Sequence, residues 1–172
     1  MNTYYPALNN VNAGDLIISL GPPIGNASPL VQGDRILIIQ MQDATINTEN
    51  TVAYGGNGTE GNGYTDLGYS GQFEFAEVGS FVAGVLTLAA PLQFPYRAIS
   101  GIPNRKSSYQ VVRVPTYTNA VLSGAVAAAA WDGAAGGIVA FHVWQTLDMN
   151  GNGITATGLG FRPGQINSAS GT

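Results

Sequence analysis

Gly33-Asp34-Arg35-Ile36-Leu37-Ile38-Ile39-Gln40-Met41-Gln42 is the stretch on which the reading of this chain turns. In an extended strand Ile36 and Ile38 point to one face, and Leu37, Ile39 and Met41 to the other. A strand with one face in water alternates apolar with polar residues, whereas here both faces are apolar over most of the run. The run is too short to favour a buried helix, and it lies between Gly33-Asp34 and the polar residues 43–50. It therefore reads as the central strand of an all-β core, covered on both sides.

The neighbouring stretches supply partners for it. Residues 11–20 form a strand pattern around Leu16-Ile17-Ile18, ended by Gly21-Pro22-Pro23, because two prolines remove two backbone donors. Gly14-Asp15 and Gly33-Asp34 open two apolar runs in the same way. That is turn chemistry, with the glycine at positive φ and the aspartate bonding nearby backbone. Residues 72–82 place Phe73 and Phe75 on one face and Glu74 on the other, and Ala83-Gly84 links them to Val85-Leu86-Thr87-Leu88 as a hairpin. Pro91, Pro95 and Pro103 break the next stretch, where Arg97, Arg105 and Lys106 read as a solvated turn. Tyr109 to Val114 is a further strand, stopped at Pro115. Short strands between glycine and proline signals predict a small barrel or sandwich.

The pattern changes after residue 122. Ala125 to Ala130 is nearly pure alanine, but Trp131-Asp132-Gly133 cuts it below helix length, so it reads as a connection hugging the core. Residues 138–149 form the longest strand pattern, with Val139, Phe141, Val143, Leu147 and Met149 on one face and Ala140, His142, Trp144, Thr146 and Asp148 on the other. The corner Asn150-Gly151-Asn152-Gly153 then leads into Ile154-Thr155-Ala156-Thr157. Small residues and repeated Asn-Gly corners resemble the coils of a β-solenoid. The predicted organisation is a barrel or sandwich core over residues 1–122, followed by a β-solenoid-like start over residues 123–172. High β-propensity, few charges and no proline mark Val139, Phe141, Val143, Thr155 and Thr157 as an edge able to self-associate, as a homo-oligomer or filament.

Composition narrows the function. Charged residues make up 9% of the 172, and six Lys and Arg against ten Asp and Glu give a net charge of −4, which offers no footprint for nucleic acid. No apolar run approaches the ~20 residues of a membrane span, and residues 1–10 have no signal-peptide pattern. There is no cysteine, hence no thiol nucleophile, and His142 is the single histidine. A triad or histidine metal site would rest on that one residue, which reads as packed or surface-facing. Glu74, Glu77, Asp132 and Asp148 are too scattered for the sequence to place any two of them together as a carboxylate pair. The chain is read as non-catalytic and without a cofactor.

Two sets of binding candidates remain. Residues 51–71 are glycine-rich, with Tyr54, Tyr64 and Tyr69 between the glycines, and lack a phosphate-cradling motif. These tyrosines, with Trp144, are candidate stacking platforms for a surface glycan; the alternative is a surface loop whose tyrosines lie on the core. Asp148, Asn150 and Asn152 match the opening of a calcium loop, but position twelve is Leu159 where an acid is required. The stretch therefore reads as an Asn-Gly turn, and no metal is assigned.

Several stretches taken in order resemble a family. They are Thr3-Tyr4-Tyr5-Pro6, the Gly33 to Gln42 strand, Ala44-Thr45-Ile46-Asn47, Ala53-Tyr54-Gly55, Gln110 to Pro115 with Tyr117, Ala130-Trp131-Asp132-Gly133 with Gly136-Gly137, and Gly160-Phe161-Arg162-Pro163-Gly164. Together they resemble the N-terminal region of large secreted, glycine-rich bacterial surface proteins of the adhesin-like, conserved-repeat type. Pro163 stands where a glycine is more usual. The resemblance implies a secreted or cell-surface location and a structural or adhesive role, and brings no catalytic residues. Two functions stay open: a structural or assembly module, and a glycan-binding module.

Overall fold

The structure, a computed structural model, describes residues 2–26, 28–46, 64–102 and 105–161; Tyr54 lies outside them. The described chain is all-β. The N-terminal strands are β1 (Thr3–Pro6), β2 (Ile17–Ser19), β3 (Ile24–Gly25), β4 (Arg35–Gln42) and β5 (Thr45–Ile46). Then come β6 (Tyr64–Asp66), β7 (Phe73–Val82), β8 (Val85–Leu88), β9 (Ile99–Ile102) and β10 (Arg105–Arg113). The last four are β11 (Thr116–Val121), β12 (Val126–Ala127), β13 (His142–Asp148) and β14 (Ile154–Thr155).

The first ten strands make one antiparallel sheet with the path β2-β8-β7-β4-β10-β1-β3, so β4 is its middle strand. Ile38 faces Glu74 across one side of β4 and Val111 across the other. Ile36 and Ile38 are fully buried in the main core with Tyr5, Tyr109, Val111, Val78 and Leu86. Leu37 belongs to a second cluster on the opposite face, with Tyr4, Val112, Val114 and Ala135, and Ile39 packs against it. The two-sided cover expected of this strand is present. The second cover is an irregular run, residues 129–140, rather than another sheet.

Both Gly-Asp turns are built alike. Asn12 N–H donates to Asp15 Oδ2 at 2.7 Å, and Asp15 N–H returns a bond to Asn12 O at 3.1 Å. Val31 and Asp34 repeat this at 2.9 and 3.1 Å, with Gly14 at φ 92° and Gly33 at φ 84°. The Ala83-Gly84 hairpin also forms, with Val82 paired to Val85.

Three expectations change. Arg97 is no solvated turn residue: its guanidinium donates to Val11 O, Tyr96 O and Asn12 Oδ1, stitching residues 11–12 to 96–97. The strand expected over residues 138–149 begins only at His142, because the preceding backbone bonds to side chains instead of a neighbouring strand. The alanine run contributes β12, with Ala128 buried.

After Pro115 the pairing mode changes. β11 runs parallel to β13, with Thr116 opposite His142 and Val121 opposite Asp148. β12 runs parallel to β14, with Val126 opposite Ile154. Parallel neighbours need a long crossover, and residues 128–141 supply it while covering the second face of the sheet.

Candidate functional site

The run 129–140 is positioned by side chains that stand up from the sheet. Gln110 Nε2 donates to Gly136 O at 2.9 Å, and Gly136 N–H donates to Gln110 Oε1 at 2.8 Å. Asn2 grips Ala140 in the same two-bond manner, at 2.5 and 3.1 Å. Between them Tyr4 hydroxyl donates to Ile138 O at 2.5 Å and accepts from Ala129 N–H at 3.3 Å. Held this way, the run covers β1, β10 and β4 but leaves the same face of β7 open.

Phe75 lies opposite Leu37 and Phe73 opposite Ile39, so both phenylalanines are on that open face. They are 47% and 54% exposed, while Glu74 between them is 7% exposed. The inversion has a tertiary cause. The Glu74 carboxylate accepts from Gln93 N–H at 2.9 Å and Phe94 N–H at 3.3 Å, two backbone donors that only the fold brings there.

The crossover then delivers β13 to the rim of this face. His142 and Trp144 meet edge to face with centroids 4.5 Å apart, and Trp144 is 68% exposed. Two adjoining cavities share Arg35 and Phe75. One, about 460 Å³, is further lined by Leu37, Val114, Phe141 and His142; the other, about 530 Å³, by Glu77, Thr116 and Trp144. Together they form a groove with aromatic walls and a few polar groups, the usual character of a small-molecule site.

The charges at this end of β4 divide between the two faces of the sheet, Asp34 and Arg113 opposite the groove and Arg35 and Glu77 on its side. Arg113 is held by Asp34 through two bonds of 2.7 Å. Burial pushes the Asp34 carboxyl up, but the Arg113 hydrogen bond, the Val31 N–H and the Arg113 charge outweigh it and hold the group below its usual value. Arg113 is pushed up, first by the Asp34 bond. Arg35 instead lies over the Phe75 ring, its guanidinium carbon 4.7 Å from the centroid. His142 Nε2 is buried without a hydrogen-bond partner among the described residues.

The structure distributes the sequence-predicted residues unevenly. Trp144 lines the groove. Tyr64 is exposed on β6, which pairs with β5, and Tyr69 sits in the following turn with its N–H on Asp43 Oδ2 and Arg97 over its ring at 5.4 Å. Both tyrosines lie toward the Gln42 end of β4, whereas Trp144 lies by Arg35, about 23 Å away along the strand. They do not form one platform. Of the edge candidates, Phe141 and Val139 line the groove cavity and precede β13. Val143 is half-buried within β13, and the Thr155 hydroxyl accepts from Thr157 N–H at 3.1 Å. In the calcium-like stretch Asp148 Oδ1 accepts from Asn150 N–H at 2.8 Å, and Asn152 Nδ2 donates to Leu122 O at 2.9 Å. Those side chains serve the turn and the parallel rung beneath it.

Arg35, Phe73 and Phe75 were not singled out from sequence as binding residues. The available signal was the Phe73-Glu74-Phe75 alternation, whose apolar side would ordinarily be buried.

No protein-family model matches this chain, and no curated protein matches it. Two solved structures are similar to it. The crystal structure of the tailspike protein gp49 from Pseudomonas phage LKA1 is 17% identical with a TM-score of 0.39, over 70% of this chain and 16% of that chain. The Gp54 tailspike of Acinetobacter baumannii bacteriophage AP22, in complex with A. baumannii capsular saccharide, is 15% identical with a TM-score of 0.34, over 70% of this chain and 17% of that one. The chain thus spans about a sixth of the length of either tailspike.

Proposed function

We propose that the groove between β7 and the start of β13 binds an oligosaccharide, and that the protein acts at a cell surface or outside the cell. The observation that carries this is the pair of aromatic faces left open there: Phe75 and Trp144 are each about half exposed or more, beside Arg35, Glu77 and Thr116, with the exposed Phe73 edge-on to Phe75 next along β7. Exposed rings flanked by polar groups suit a sugar, whose C–H face stacks while its hydroxyls hydrogen-bond. The low-charge, glycine-rich composition agrees with a surface location. The proposal rests on the groove and not on the tailspike likeness. Binding rather than hydrolysis is the reading because Glu77 is the one carboxylate among the described groove-lining residues, and glycoside hydrolysis ordinarily takes two.

A glycan array followed by calorimetry on the best ligand tests this. Trp144→Ala should weaken binding about tenfold, since losing a stacking partner costs on the order of 1 kcal/mol. Tyr69→Ala should leave affinity unchanged. Equal affinity for wild type and Trp144→Ala, or loss confined to the Tyr69 variant, would place the site elsewhere.

A second reading, an assembly module, is favoured by the parallel rungs. Each strand of rung β11–β12 is matched by one of rung β13–β14, whose far side has no partner among the described residues. The Thr155 carbonyl accepts from Ala128 N–H, so by the alternation of strand backbone Ile154 is the residue facing outward. Ile154→Pro should then reduce concentration-dependent association in sedimentation velocity without unfolding the sheet. A wild type that stays monomeric at high concentration would remove this reading.

A further inference from the structure

We infer that the groove is built for a sugar bearing a carboxylate, with Arg35 as the residue that selects it. The inference rests on the oligosaccharide reading and names its chemical class. Glu77 is the direct cross-strand neighbour of Arg35, in register with it on β7. Opposite charges so placed ordinarily pair. Arg35 does not take that partner: its guanidinium lies on the Phe75 ring, and it makes no ion pair among the described residues. A guanidinium held over a ring is attracted by the π-system and still has N–H donors to offer a ligand. Those donors form the planar fork that matches a carboxylate with two parallel bonds.

His142 lines the same cavity, its ring edge to face with Trp144. The other arginine nearby, Arg113, is committed to Asp34 and is not free for a ligand. The protein's net charge of −4 opposes an anion only weakly, since charges beyond about 8 Å are screened at physiological salt. Glu77, inside the groove, opposes it directly.

That opposition makes the test two-signed. An oligogalacturonide and its fully methyl-esterified form share a ring skeleton and differ in the carboxylate. Wild type should bind the acid form at least about tenfold tighter than the ester, as expected for a charge-assisted bidentate contact. Arg35→Gln and Arg35→Lys should both lose most of that preference, the lysine because it keeps the charge without the fork. Glu77→Gln should tighten the acid form and leave the ester unchanged. Melting temperatures of all variants, read in parallel, guard against loss of fold. An ester bound as tightly as the acid, or a preference that survives Arg35→Gln, overturns the inference while leaving the oligosaccharide reading in place. Failure of wild type to bind either form or any arrayed sugar overturns both.

Discussion

Three carboxamide side chains in this protein do the work of backbone. Gln110 closes two hydrogen bonds on Gly136, Asn2 closes two on Ala140, and Gln40 closes two on Arg97 at 2.7 and 2.8 Å. Each satisfies the donor and the acceptor of a residue that has no strand neighbour on that side. Gly136 also shows why a glycine is needed at such a grip. Its φ is 105°, and a Cβ there would meet Ala130 O at 2.6 Å. Gln110→Leu keeps the volume but strands the buried N–H and C=O of Gly136. It should cost about 3 kcal/mol in urea unfolding, since a buried unsatisfied group costs roughly 1–3 kcal/mol. A change below about 0.5 kcal/mol would mean that water replaces the amide and that the grip is ornamental.

At the scale of elements, the Gly-Asp turns show one local solution used for two ends. Asp15 and Asp34 close the same turn, but Asp34 also reaches Arg113 at the end of β10 and so ties the entry of the central strand to its neighbour. The pair is partly buried, 24% exposed on the Arg113 side chain and 13% on Asp34. With its folded pKa held below the ordinary 3.8, Asp34 adds stability that is present above that value and is lost as pH falls through the folded pKa. Asp34→Asn should therefore be less stable than wild type near neutral pH, and the gap should close below about pH 4. Denaturant midpoints across pH decide it. A gap that stays constant to about pH 2 would mean that the turn, not the ion pair, is what the substitution removed.

At the scale of the whole molecule, the groove exists because the cover of the second sheet face stops short. Residues 129–140 shield Leu37, Val112 and Val114, and the chain then turns into β13 before reaching β7. The uncovered Phe75 and the incoming Trp144 become neighbours by that shortfall. What the sequence by itself determined is the part governed by local periodicity and turn chemistry. The two-faced strand around Ile38, its place at the middle of the sheet, the Gly-Asp turns, the Ala83-Gly84 hairpin and the all-β class all follow from residues a few positions apart. Only the tertiary structure decided which face of β7 is buried, because the donors that hold Glu74 come from Gln93 and Phe94. It alone decided that residues 138–141 are not strand, because their partners are side chains of Asn2 and Tyr4, more than 130 positions earlier. It also decided that Trp144 joins Phe75 and Arg35 rather than the tyrosines. Periodicity reports which residues share a face; what covers that face is set by contacts the linear pattern does not contain.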